Sequence, residues 1–167
     1  MPILTIVKLP NENLRTPSRD LTSEEIVSDE IQNLITDMIP TMYDDDGIGL
    51  AAPQIGKNIR ICVVGKEALP KKLSMLKGTI DLKQDLVLLN VHWKHMSKKT
   101  ETDVEGCLSV PNIFGSVKRF KDIQVEALDR EGNLLIFDAH AFFARVIQHE
   151  TDHLDGVLFI DKATNTY

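Results

Sequence analysis

The sequence predicts an α+β fold: mostly antiparallel sheets packed around a C-terminal helix, with one N-terminal helix. Three observations predict it. Apolar residues recur at helical spacing from Ile26 to Met42, several short β-prone runs follow, and a second helical stripe runs from Phe142 to His153. The chain has 167 residues, 43% hydrophobic and 26% charged, which suits a single domain over residues 1–167 with a sizeable core.

Residues 1–22 read as mostly irregular, punctuated by Pro2, Pro10 and Pro17. Thr22 and Glu25 read as a capping box for a helix starting near Ser23. Ile26, Val27, Ile31, Leu34, Ile35, Met38 and Met42 keep the helical period, and Pro40 should kink or end that helix. Asp44 to Asp46 read as a solvated turn. GIGLAAPQIG, residues 47–56, holds three glycines and a proline, which argues against regular structure.

IRICVVG (59–65) and DLVLLNV (85–91) read as strands, with an exposed loop over 66–84 between them. Residues 98–104 read as a polar extended stretch leading to Cys107. Residues 116–129 give one or two strands, DREGN a turn and LLIFDA another strand. The last helix begins near His140 or Ala141 and ends by Gly156, and VLFID can follow as a short strand. His92, His95 and His140 read as surface or capping residues, and Trp93 as part of a partly exposed strand edge.

Net charge is −6, which disfavours general nucleic-acid binding. No apolar run approaches the roughly 20 residues of a membrane helix. The N-terminus lacks the pattern of a secretory or organelle leader, so a cytoplasmic location is expected. The two cysteines are too few for a disulfide scaffold. Cys62, inside RICVVG, reads as core. Cys107, in VEGCLSVP, stays a candidate for chemistry.

QHETDHLDG, residues 148–156, places His149 and His153 four apart, on one face of a helix. In H-E-x-x-H the two imidazoles bind a metal and the glutamate, here Glu150, acts as general base. A catalytic site usually has three protein ligands and an open position. The 14 residues after His153 contain no histidine or glutamate, and their only carboxylates are Asp155 and Asp161. Asp155 points away from the stripe. An upstream cysteine is the natural substitute, which returns attention to Cys107. Cys-His₂ ligation by itself suggests zinc.

Three segments, GIGLAAPQ (47–54), EGCLS (105–109) and QHETDHLDG (148–156), resemble in that order the three motifs of the peptide deformylase family. The resemblance spans nearly the whole chain. It implies a hydrolase that removes the N-formyl group from the N-terminal methionine of newly made polypeptides and releases formate. Cys107, His149 and His153 would hold one Fe²⁺ per chain, with Zn²⁺ or Ni²⁺ as substitutes, making the last helix the metal-binding helix around which the sheets pack. Glu150 would activate a metal-bound water as general base and acid. Gln54, through its side-chain amide, and Leu108, through its N–H, would stabilise the oxyanion. Ile48 and Gly49 would pair with the peptide like an added strand. Gly49, Glu105, Phe142, Val146 and His149 would form the pocket for methionine, and Arg145 would help hold the pocket or the peptide.

Departures from the family pattern are Pro40 within the first helix and Phe114 near a position where some relatives carry an arginine. Bacterial members usually continue into a charged C-terminal helix, whereas this sequence stops at DKATNTY, so the usual ribosome anchor is expected to be missing. The expected partners are N-formyl-Met nascent peptides, with no direct nucleic-acid contact, no membrane and a monomeric chain. The competing reading is a metal-dependent amidase or peptidase for other N-acyl groups.

Overall fold

The computed structural model describes residues 2–167. The predicted first helix is two helices. α1 (Ser23–Ile26) starts at the expected capping box, with Thr22 Oγ accepting from Glu25 N at 3.2 Å and Glu25 Oε2 accepting from Thr22 N at 2.8 Å. Ser28 then caps a new start, accepting from Ile31 N at 3.3 Å, and α2 runs from Asp29 to Asp44. Contrary to expectation, α2 continues through Pro40. Its buried stripe of Ile31, Ile35, Met38 and Met42 spans the proline. Met42, beyond the proline, is fully buried, and burying it, at roughly 1.5–3 kcal/mol, offsets much of the ~3 kcal/mol disfavouring an interior proline.

Eight strands follow: β1 (Gly49–Ala51), β2 (Ile61–Val64), β3 (Ser74–Lys77), β4 (Leu86–His95), β5 (Thr100–Cys107), β6 (Val110–Phe120), β7 (Asp122–Leu128) and β8 (Leu134–His140). β1 and the 3₁₀ turn Ala52–Ile55 lie where irregular structure was expected, and β3 lies within the expected loop. A six-stranded sheet has the order β1-β2-β4-β7-β8-β3, and β5-β6 form a separate hairpin sheet. Every strand pair is antiparallel. α3 (Ala141–Leu154) follows β8, and Gly156 (φ +77°) lies just past its end. VLFID is not a strand: its end forms a 3₁₀ turn, Phe159–Asp161, in which Asp161 Oδ2 accepts from Leu158 N at 2.9 Å.

The large sheet is covered on both faces. Ile61 and Val63 of β2 pack with the α2 residues Ile35, Met38 and Met42. Cys62 and Val64, pointing the other way, pack with Val146 and Ile147 of α3. A strand buried on both faces reads as an unbroken apolar run, which is why ICVV shows no alternation. Burial pushes the Cys62 thiol far up, so it behaves as a core residue. β4 is an interior strand rather than the edge anticipated for Trp93, whose indole N–H donates to Thr151 Oγ1 of α3 at 2.8 Å. A third cluster of Leu14, Val110, Val117, Leu158 and Phe159 ties the hairpin to both terminal regions.

Candidate metal centre and active site

Three elements converge. β1 and its 3₁₀ turn bring Gly49 and Gln54, β5 brings Glu105 and Cys107, and α3 brings His149, Glu150 and His153. One donor atom from each of Cys107, His149 and His153 lies within 4.8 Å of the others. Cys107 Sγ is 3.3 Å from His153 Nε2, and the two imidazole rings are 5.1 Å apart at an angle of 72°. The helical i, i+4 spacing juxtaposes the two imidazoles, and the end of β5 brings the thiol up to them.

His149 Nδ1 lies 2.9 Å from Glu105 Oε1. A carboxylate can only accept here, so Nδ1 carries the hydrogen and Nε2 keeps its lone pair for a metal. Glu105 is itself held by Arg119, which donates from Nε at 2.9 Å and Nη2 at 2.8 Å, and by Arg145 Nη1 at 2.6 Å. Burial alone would raise the Glu105 carboxyl, but Arg119 and His149 hold it well below the usual carboxylate range. Arg119 also pairs with Asp152 at 2.5 Å, and Lys162 reaches Asp152 at 3.2 Å. A buried network thus runs from the surface lysine to the ring of one candidate ligand.

Glu150 is 3% exposed and its Oε2 is buried with no hydrogen-bond partner. Burial pushes its carboxyl up to about 7. Gly49 passes directly over it: a Cβ there would sit 2.4 Å from Glu150 Oε1. Gln54 is 2% exposed, and its Oε1 accepts from Ala51 N at 3.0 Å. That bond turns the Gln54 NH₂ toward Ser109 Oγ (3.3 Å) and Cys107 Sγ (3.6 Å).

A cleft of about 570 Å³ opens over this centre. Gln54, Cys107, Leu108, His149 and Glu150 line it, as do Ile48, Gly49, Glu105, Phe142, Arg145 and Val146. His153, 1% exposed, is absent from the lining. Val146 is buried, whereas Phe142 and Ile48 stand half-exposed at the mouth. Arg145 is 7% exposed; besides Glu105 it donates to Val117 O (2.9 Å) and Glu101 O (2.8 Å), so its guanidinium braces the wall. Glu105, anticipated as pocket lining, is also the acceptor that orients His149.

Arg119, Asp152 and Ser109 are site residues that the sequence reasoning missed. A signal for Arg119 existed: it sits two residues after Val117 in β6, so strand alternation puts it on the buried face, where a lone arginine needs a carboxylate.

The donor set fits a metal. A thiolate and two imidazoles suit a borderline or soft divalent ion, and a partnerless carboxylate stands beside them. The family model described as polypeptide deformylase matches residues 3–167. The chain belongs to the polypeptide deformylase family. Peptide deformylases are metal-dependent hydrolases of protein biosynthesis. The chain is 40% identical over 165 residues to a peptide deformylase of Symbiobacterium thermophilum, covering 99% of this chain and 69% of that one. With peptide deformylase 1 of Bacillus subtilis it shares 38% identity over 167 residues, 100% of this chain and 94% of the other. A class I type b peptide deformylase from Acinetobacter baumannii superposes with a TM-score of 0.85 at 28% identity, covering 97% and 99% of the two chains. Another structure of that deformylase has Met-Ala-Ser bound. Among the described residues, no helix is long and apolar enough to cross a membrane.

Proposed function

We propose that this chain removes the formyl group from N-formyl-methionyl polypeptides as they are made, releasing formate. The observation that carries the reading is the clustering of the Cys107, His149 and His153 donor atoms within 4.8 Å beneath a cleft, with the partnerless Glu150 carboxylate beside them.

A divalent ion held by Cys107, His149 and His153 would supply Lewis acidity, the chemistry that makes water a nucleophile near neutral pH. Glu150 accepts the attacking water's proton and later passes it to the leaving amine. Burial raises its carboxyl in the metal-free protein, the direction that suits a group which must both take and give a proton near neutral pH. The Gln54 NH₂ and the Leu108 N–H donate to the developing oxyanion; because Gln54 Oε1 is tied to Ala51 N, the amide faces the site before substrate arrives. Glu105 holds His149 in the ligating orientation. Among the strands β1 pairs only with β2; the Ile48 carbonyl accepts from Gly65 N and Ala51 N donates to Gln54 Oε1, so a peptide would pair along the segment of Ile48 and Gly49 chiefly through the main chain of Gly49. The methionine side chain enters the pocket bounded by Gly49, Glu105, Phe142, Val146 and His149, with Arg145 bracing the wall.

The metal in the working enzyme is one Fe²⁺ per chain, with Zn²⁺ or Ni²⁺ as substitutes. The ligand set alone is equally suited to zinc, and the preference for iron rests on the family likeness. The setting is the cytoplasm and the chain acts as a monomer on nascent peptides, with no nucleic acid or membrane in its own contacts.

The test is formate release from an N-formyl-Met tripeptide, with protein loaded anaerobically with ferrous iron and the N-acetyl peptide alongside. Release from the formyl peptide alone supports the reading. Folded, metal-loaded protein that releases nothing overturns it.

A further inference from the structure

Residues 163–167 run along the outer edge of β6. Ser116 N donates to Thr164 O at 2.9 Å and Thr164 N to Ser116 O at 2.8 Å, while Phe114 N and Tyr167 N each donate to the other's carbonyl at 2.9 Å. The pairing is antiparallel, so the tail adds a strand-like layer to the β5–β6 hairpin. The approach is close at Gly115, where a Cβ would lie 2.7 Å from Ala163 Cβ and 3.1 Å from Thr166 Cγ2.

This docking fixes one side chain of the cleft. The Tyr167 ring lies 6.2 Å from that of Phe114, tilted by 35°. Phe114 also covers Gly106, one residue before the ligand Cys107: a Cβ there would meet Phe114 Cε1 at 2.9 Å. Phe114 thus lies against both Tyr167 and Gly106 yet remains 46% exposed, and with Val104 and Ile113, also exposed, it lines the cleft. An apolar ring kept in place and left open to water on the wall of a peptide cleft is a surface suited to an apolar ligand group.

We propose that Phe114, positioned by the tail residues Thr164–Tyr167, is a specificity-determining residue that favours apolar side chains beyond the first residue of the peptide. This rests on the deformylase reading given above. The ring contributes through contact with the substrate; Tyr167 and the main-chain pairing at Ser116 act through Phe114 and are positioning elements. Extended peptides direct successive side chains to opposite sides, so the ring faces either the second or the third residue but not both, and the substrates vary each in turn.

The test compares iron-loaded wild type with Phe114→Ala, Tyr167→Ala, Tyr167→Phe and Gly115→Ala. The substrates are N-formyl-Met tripeptides carrying Leu, Phe, Gly or Asp at the second or third position in turn. Metal content and melting temperature are recorded for each protein. For wild type, kcat/KM is expected to favour the apolar peptides about 2- to 10-fold, chiefly through KM, the size of one aromatic contact. Phe114→Ala, Tyr167→Ala and Gly115→Ala bring that ratio close to one. Tyr167→Phe, which keeps the ring, preserves it. Normal turnover with no side-chain discrimination, or discrimination that survives Phe114→Ala, overturns this inference while leaving the deformylase reading intact. No formate from any N-formyl peptide overturns both.

Discussion

Gly49→Ala adds one methyl group where β1 crosses Glu150. The new Cβ would lie 2.4 Å from Glu150 Oε1, 2.9 Å from Cδ and 3.1 Å from Cγ. Carbon atoms pack at about 3.5–4.0 Å, so every one of these contacts is too short and the side chain must rotate away. Its backbone cannot follow, because Glu150 is buried within α3. Relief therefore displaces the carboxylate by about 1 Å, and a displacement of that size can cost ~10²-fold in rate. Losing the acid–base group outright costs about 10²–10⁴-fold. The expected result is a fall in kcat of roughly 10²–10⁴-fold, within the same range. The overpacking should cost about 1–3 kcal/mol of stability, or roughly 2–12 °C in Tm for a chain of this size. The assay is formate release over a range of peptide concentrations, with bound metal and melting temperature measured on the same samples. Adding Gly49→Ala to Glu150→Ala should cause little further loss, since both act through one carboxylate. Wild-type kcat in Gly49→Ala, or a loss that multiplies on top of Glu150→Ala, would refute the reasoning.

Other parts of the site lead to separate expectations. Gln54→Ala removes an oxyanion donor and should lower kcat about 10²–10³-fold with a smaller change in KM, read from steady-state kinetics. Arg119→Met leaves the Glu105 and Asp152 carboxylates buried without their shared partner; a loss of about 3–5 kcal/mol is expected in urea unfolding, and a loss below about 1 kcal/mol would contradict the network. Glu105→Gln should weaken metal binding about 10- to 100-fold, measured by competition with a chelator. In metal-free protein the same variant gives a pH signature. The folded Glu105 carboxyl is held below its unfolded value of about 4.5, so its stabilising contribution is complete above that pH and is lost as pH falls toward the folded value. The stability gap between wild type and Glu105→Gln should be constant near neutral pH and narrow below about pH 4.5; a gap that widens on acidification would contradict the assignment.

The parts of the site that were legible in the sequence are local ones. His149, Glu150 and His153 share a single helical turn, and Cys107 followed from the lack of a downstream ligand and from the EGCLS resemblance. Arg119 was not legible, because its carboxylate partners lie 14 and 33 residues away in sequence, one across the β5–β6 hairpin and the other on α3 packed against it. Among the elements, β4 and β8 declared themselves through their own apolar content. β1 and β3, of three and four residues, exist because neighbouring strands offer them hydrogen bonds, which no local pattern reveals. The division of the first helix turned on Ser28, a polar residue inside an apolar stripe whose hydroxyl starts a second helix. VLFID is a short apolar run that reads like a strand, yet Asp161 closes it into a turn that buries Phe159.

The open edge of β1 also bears on solubility. A strand edge with free main-chain groups is a template for any extended chain, including another copy of the same protein. Here that edge is only three residues long. Asp44, Asp45 and Asp46 precede it closely, and Pro53, which cannot donate to a ladder, follows within the 3₁₀ turn. Charge on one side and proline on the other keep the register too short for copies of the chain to stack on it.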